Sequence, residues 1–168
     1  AGDVKGPVLI LLGDALVSGP NPSVEMVAVS KANGGASVIG MEQVPQEKVS
    51  RYGIVDMRPD GRIDAMVEKP ALEDAPSDLA VAGRYLLDLS IFDYLADQGA
   101  GVGGEIQLTD AMAAYARAYG VTAKVFEGDR YDMGSKLGFL KANVMKGLEH
   151  PETAAELREF LKELSENL

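Results

Sequence analysis

The sequence predicts an α/β fold: a mostly parallel sheet with helices on both faces and one antiparallel hairpin. Three observations carry this expectation. Residues 7–12, PVLILL, form a short continuous apolar run ending at Gly13-Asp14. That is the pattern of a strand buried on both faces, as in parallel sheets. Strand-like and helix-like stretches then alternate along the chain. Finally, Arg58-Pro-Asp-Gly-Arg62 places turn chemistry between two strand patterns.

The elements follow in order. Residues 18–23, SGPNPS, are turn formers and read as a loop. A helix follows over about 22–33, ended by Asn33-Gly34-Gly35. Residues 36–44 read as a strand. Residues 51–57 and 63–68 flank the Pro-Asp-Gly turn as a hairpin. Residues 71–78 form an acidic loop, and 79–87 a strand. Asp88-Leu-Ser90 caps a helix near 90–97. Residues 98–104 hold four glycines and form a tight or mobile turn. Thr109 or a neighbour caps a helix whose body is 111–119. A strand covers 121–126, a helix about 135–148, and a last helix starts at Pro151 and reaches about Leu164. In that last helix Leu157, Phe160, Leu161 and Leu164 share one face. No repeat or linker interrupts the chain, which reads as a single domain over 1–168.

Composition narrows the chemistry. The 168 residues carry a net charge of −10, which argues against binding nucleic acid or an anionic membrane surface. An anionic small substrate remains compatible, because a lysine or a metal can reverse the field inside a cleft. There are no cysteines. Disulfides, thiol nucleophiles and thiolate zinc sites are excluded, and a reducing, cytoplasmic setting fits. The single histidine, His150, precedes Pro151 at a helix break and reads as a surface loop residue. One histidine cannot build a histidine metal cage. No apolar run is long enough to span a bilayer.

Four constellations can carry chemistry. Asp14 stands just past a buried strand, where open α/β sheets place ligands; a carboxylate there can hold Mg²⁺, or simply make a turn. Glu68-Lys69-Pro70 ends a strand with an acceptor, an ammonium and a stop. Glutamate accepts from sugar hydroxyls and lysine donates to phosphate; the alternative is a surface ion pair. Gly83 lies inside a strand, marking either close approach of a ligand or a bulge. Asp132 stands near a helix start, as a metal ligand or as a cap.

Taken in order, LLGD, YGIV, VEKP, AGRYLL, GGEIQLTDAM and GDRYDMGSKLGF resemble the bacterial UTP–glucose-1-phosphate uridylyltransferases, or UDP-glucose pyrophosphorylases, within the sugar nucleotidyltransferases. The resemblance runs from Pro7 to about Leu148. It implies a Rossmann-like nucleotide-diphospho-sugar transferase fold and transfer of a uridylyl group from UTP to glucose 1-phosphate, giving UDP-glucose and pyrophosphate. The sugar phosphate attacks the α-phosphorus in line, with Mg²⁺ bridging phosphates. By motif, Asp14 and Asp132 look like the two metal-binding acids. Glu68 resembles the residue that holds the glucose hydroxyls, and Lys69 the one on the sugar phosphate. Gly83 matches the glycine that lets the sugar lie against a strand. Gln107, Leu108, Thr109 and Asp110 look mainly like a wall beside the sugar subsite, with Glu105 and Thr109 as candidate ligand contacts.

The sequence also departs from the family pattern. Ala15 stands where many relatives carry a second acid. No G-x-G-T-R loop, the segment that cradles nucleotide phosphates, occurs in the chain. The expectation is therefore a sheet lacking its N-terminal strands and no uridylyl transfer by these residues alone. A homo-oligomer or a complementary N-terminal chain would cover the exposed edge. Competing expectations are a non-catalytic sugar-nucleotide-binding or regulatory module, and thymidylyl or adenylyl transfer to a sugar 1-phosphate.

Overall fold

The computed structural model describes residues 5–99 and 106–168, which fall into two compact units. The first comprises residues up to 12 and 19–128; the second comprises 13–18 and 129–168. The sequence marks no linker at this division. The reason is topological: the second unit joins residues that lie more than a hundred positions apart.

The first unit holds β1 (Val8–Leu11), α1 (Pro22–Ala32), β3 (Val38–Gln43), β4 (Gly53–Met57), β5 (Ile63–Glu68), β6 (Leu79–Leu87), α2 (Ile91–Ala96), α3 (Leu108–Tyr119) and β7 (Thr122–Val125). The second holds β2 (Ala15–Val17), β8 (Arg130–Asp132), α4 (Lys136–Glu149) and α5 (Ala154–Glu166). A mixed α/β class and the hairpin match the expectation. The strand order is β5-β4-β6-β3-β7, with β1 also on β6.

The mostly parallel sheet does not match. Only β3–β7 is a parallel pair among the described strands; β1–β6, β3–β6, β4–β5 and β4–β6 are antiparallel. The cause is insertion. β1, β3, β4 and β7 all run one way, and α1 makes the crossover from β1 to β3. β6 arrives later, runs the other way, and seats itself between them. Burial of β1 is also less than its apolar run predicts. It is half-buried, with Leu11 and Leu12 exposed, and pairs with β6 alone among the described strands.

β6 changes neighbours along its length. Residues 84–87 pair with β1, and Ala80 pairs with Ile54 of β4. Gly83 stands at the change with φ +66°, a conformation that glycine adopts without steric cost. Opposite it, β3 shifts register between Ile39 and Met41. Gly40 sits in that shift, and a Cβ on it would overlap the Phe126 ring.

Alternation along the strands sends side chains to two faces. Ile39, Met41, Tyr85 and Leu87 meet Met112 and Tyr115 of α3 in one core cluster. Val38 and Leu86 point the other way and meet Met26 of α1. Helices thus cover both faces, as expected. α1 is capped by the Asn21 side chain, which accepts from the Ser23 N–H at 3.0 Å.

In the second unit β2 and β8 form a two-stranded ladder, Ala15 opposite Asp132 and Val17 opposite Arg130. α4 starts at Ser135, whose hydroxyl oxygen accepts from the Gly138 N–H at 3.0 Å. No residue of α5 is buried, so the apolar face expected there stands partly in the open, with Phe160 and Leu164 exposed. No helix among the described residues is long and apolar enough to cross a membrane.

Candidate functional site

The first cluster sits at the end of β5. Gly53 and Glu68 are partners across the hairpin, and the Lys69 N–H extends the ladder to the Tyr52 carbonyl at 3.0 Å. Pro70 then removes the next donor. Between them Lys69 takes φ +44°. Successive strand residues point to opposite faces; the left-handed backbone at Lys69 breaks that alternation. As a result its Nζ comes to 3.7 Å from Glu68 Oε1. The sequence-predicted pair therefore shares one rim, and the lysine backbone, with the proline, makes the turn. The pair itself adds little stability: the Lys69 side chain is 64% exposed and Glu68 19%.

Thr109 completes this cluster. Its hydroxyl donates to Glu68 Oε2 at 2.6 Å, the short distance of a charge-assisted bond. It does not cap the helix. Gln107 occupies the cap position, with no side-chain cap bond, and Thr109 lies in the first turn of α3. Leu108 packs against the main core, and Asp110 is exposed in that first turn. Glu105 lies outside the described residues.

Gly53 was not singled out by the sequence. A Cβ there would lie 3.1 Å from Glu68 Oε2 and 3.3 Å from Thr109 Oγ1. The carboxylate rests on the bare backbone of β4. The available signal was the glycine of YGIV, placed at a strand start where a side chain would ordinarily favour pairing.

Gly83 is buried in β6. Its carbonyl accepts from the Leu12 N–H at 3.0 Å and from Arg84 Nη1 at 3.0 Å. It marks a strand irregularity, one of the two alternatives the sequence left open.

The second cluster belongs to the other unit. The Met133 N–H donates to the Asp14 carbonyl at 2.7 Å, which carries the β2–β8 pairing past Asp132. Gly134 follows. Its N–H donates to Asp132 Oδ1 at 3.2 Å. A Cβ on Gly134 would lie 3.2 Å from Asp132 Oδ1 and 3.3 Å from Asp14 Oδ2. Two carboxylate oxygens thus flank one glycine. Capping of α4 falls to Ser135, not Asp132; the Asp132 carbonyl accepts from the Ser135 hydroxyl at 3.0 Å. The cap role that the sequence left open for Asp132 thus belongs to Ser135.

No group of three or more acidic, histidine or cysteine residues gathers as a metal cage among the described residues. Two acids fit Mg²⁺ all the same, since that ion takes one or two carboxylates and fills its shell with water and substrate phosphate.

A cavity of about 550 Å³ lies elsewhere in the first unit and is lined by Asp93, Tyr94, Asp97, Gln98, Asp110 and Tyr119. Three carboxylates disfavour a phosphate ligand there.

A family model for nucleotidyl transferases matches residues 1–147. The chain belongs to the nucleotidyl transferase family. It is 47% identical over 165 residues to a UTP–glucose-1-phosphate uridylyltransferase of Staphylococcus saprophyticus, covering 96% of this chain and 57% of that protein. A UTP-bound UGPase from Acinetobacter baumannii superposes with a TM-score of 0.82 at 37% identity, over 94% of this chain and 56% of that one. A UDP-glucose pyrophosphorylase complexed with UDP-glucose gives 0.79 at 38% identity, over 86% and 57%. The present chain therefore spans somewhat more than half the length of these relatives. The nucleotidyltransferase likeness agrees with the motif order along the chain and with the mixed α/β fold.

Proposed function

We propose that this chain supplies the sugar-phosphate and metal-binding residues of a uridylyl transfer from UTP to glucose 1-phosphate. The observation that carries the reading is the pairing of Glu68 and Lys69 on one rim, 3.7 Å apart, at the end of β5. An ionised carboxylate is an acceptor only, so Glu68 selects a ligand rich in hydroxyl donors. Lys69 presents a compact cation suited to the adjoining phosphate. One small molecule answers both demands: a sugar 1-phosphate.

In this reading Glu68 orients the glucose ring by accepting from its hydroxyls. Lys69 holds the phosphate and lowers the repulsion between two anionic reactants. Positioning and charge neutralisation are the bulk of catalysis in phosphoryl-type transfer. Asp14 and Asp132 would hold Mg²⁺, which when bound neutralises charge on the phosphates. The names of the relatives, UTP–glucose-1-phosphate uridylyltransferase and UDP-glucose pyrophosphorylase, support uridine as the base.

Cytoplasmic location and association into a homo-oligomer, or with a chain that supplies a nucleotide cradle, belong to the same proposal. The exposed Leu137, Leu140 and Met145 of α4 and Phe160 of α5 support association.

Thermal-shift measurements with glucose 1-phosphate, UDP-glucose and ADP-glucose, each with and without Mg²⁺, test the assignment. The expected result is stabilisation by the glucosyl ligands, lost in Lys69→Ala. Stabilisation unchanged in Lys69→Ala would refute it.

A further inference from the structure

We propose that Thr109 and Gly53 are positioning residues: together they fix the Glu68 carboxylate in the rotamer that leaves Oε1 for the ligand. The inference rests on the reading of Glu68 as the sugar-hydroxyl acceptor. It differs from a direct ligand contact by Thr109.

Three elements converge on one carboxylate. Glu68 ends β5, Gly53 begins β4 directly opposite, and Thr109 projects from the first turn of α3. The only proton on the Thr109 hydroxyl is spent on Oε2 at 2.6 Å. Thr109 therefore has no donor left for a ligand. Beneath the carboxylate, the absent side chain of Gly53 leaves a gap that a methyl would enter, at 3.1 Å from Oε2 and 3.3 Å from the threonine oxygen. Oε2 is thus held from above and bounded from below, while Oε1 faces Lys69.

The arrangement has a purpose in binding. A free glutamate side chain samples several rotamers, and a ligand must stop that motion. Locking the rotamer in the fold removes that cost from binding, which is preorganisation. It also ties the sugar acceptor to the placement of α3.

The test uses the full chain with Thr109→Val, Thr109→Ser and Gly53→Ala, titrated calorimetrically with glucose 1-phosphate and UDP-glucose. Thr109→Val has nearly the same shape but no hydroxyl, and should weaken binding about ten-fold. Thr109→Ser keeps the hydroxyl and should stay within about two-fold. Gly53→Ala should weaken binding without touching the ligand. On a Glu68→Gln background, Thr109→Val should add no comparable loss, because its effect runs through Glu68. Full additivity would mean that Thr109 meets the ligand itself, and would overturn the proposal. So would failure of Thr109→Ser to rescue, accompanied by an equal fall in melting temperature.

Crystal structures of ligand-free wild type and Thr109→Val decide the point without any ligand. Glu68 should leave its place over Gly53 in the variant. A carboxylate that stays there overturns the positioning role. Absence of ligand binding by wild type counts instead against the sugar-site reading, so the two failures are distinct.

Discussion

Lys69 carries the one positive φ outside glycine among the described residues, +44°. Holding an L side chain there costs about 1–3 kcal/mol, and such strain gathers at ligand sites. The fold tolerates it because Tyr52 and Pro70 fix the backbone on either side. Lys69→Asn, a residue tolerant of the left-handed region, should leave stability within about 0.5 kcal/mol of wild type. Lys69→Val should cost about 1–2 kcal/mol more, because branching at Cβ penalises that conformation. Urea denaturation measures the difference, and both variants should lose affinity for glucose 1-phosphate. A valine variant as stable as the asparagine one would show that the backbone is not strained. At the same scale, some residues of the candidate clusters were legible and others were not. Glu68, Lys69, Asp14 and Asp132 stand out in the sequence because acids and lysines at strand ends and loops carry recognisable chemistry. Gly53 is harder to single out because its contribution is empty space, hinted at only by a glycine at a strand start. Thr109 was readable as a helix-start residue, but its true partner lies 41 positions away.

At the scale of elements, two short segments govern the acids. Ser135 caps α4, and the turn before it is tightly filled. A Cβ on Gly138 would fall 1.9 Å from the Asp132 carbonyl oxygen. Gly138→Ala should therefore shift the start of α4 or the Asp132 backbone, with a loss of about 1–3 kcal/mol. Ser135→Ala should cost about 1 kcal/mol through the cap alone. Chemical denaturation ranks them, and a smaller loss for Gly138→Ala than for Ser135→Ala would contradict the steric account. The entry to α2 supplies a pH prediction. Asp88 accepts from the Ser90 hydroxyl at 2.6 Å and from the Ser90 N–H at 3.0 Å. Ser90 itself makes no side-chain cap bond; Asp88 does the work expected of the Asp88–Ser90 stretch. These bonds, the Ser90 hydroxyl first, hold its carboxyl below its ordinary value of 3.8. A depressed folded value means stability that is present above the unfolded value and is lost as pH falls through the folded one. The stability difference between wild type and Asp88→Asn should thus be visible at neutral pH and vanish in acid below the carboxylate range. A difference that persists there would point to a cause other than ionisation. β6, the hairpin and α1 were legible because their signals are local: apolar runs, Pro-Asp-Gly, Asn-Gly-Gly. β2 and β8 were not. Each has three residues and pairs with a strand more than a hundred positions away.

At the scale of the whole molecule, strand direction was readable and strand neighbours were not. An α-helical crossover makes β1 and β3 run the same way, so a parallel sheet was the natural expectation. Nothing local says that β6 will enter between them. The division into two units escaped the sequence for the same reason, since pairing between distant residues leaves no linker. Charge and apolar surface act at this scale too. A chain of net charge −10 repels its copies at low salt, whereas the exposed leucines and methionine of α4 favour contact. Sedimentation should show association that grows with salt and weakens in a Leu137→Lys, Leu140→Lys variant; a monomer at every salt concentration would remove association from the account. The central claim is that Glu68 and Lys69 bind a glucosyl phosphate. It is tested most directly by calorimetric titration of the purified chain with UDP-glucose and glucose 1-phosphate, with and without Mg²⁺. The account predicts binding of both ligands, weakened at least about ten-fold by Glu68→Ala or Lys69→Ala. A folded wild-type chain that binds neither ligand, or binds them equally well after both substitutions, would contradict it.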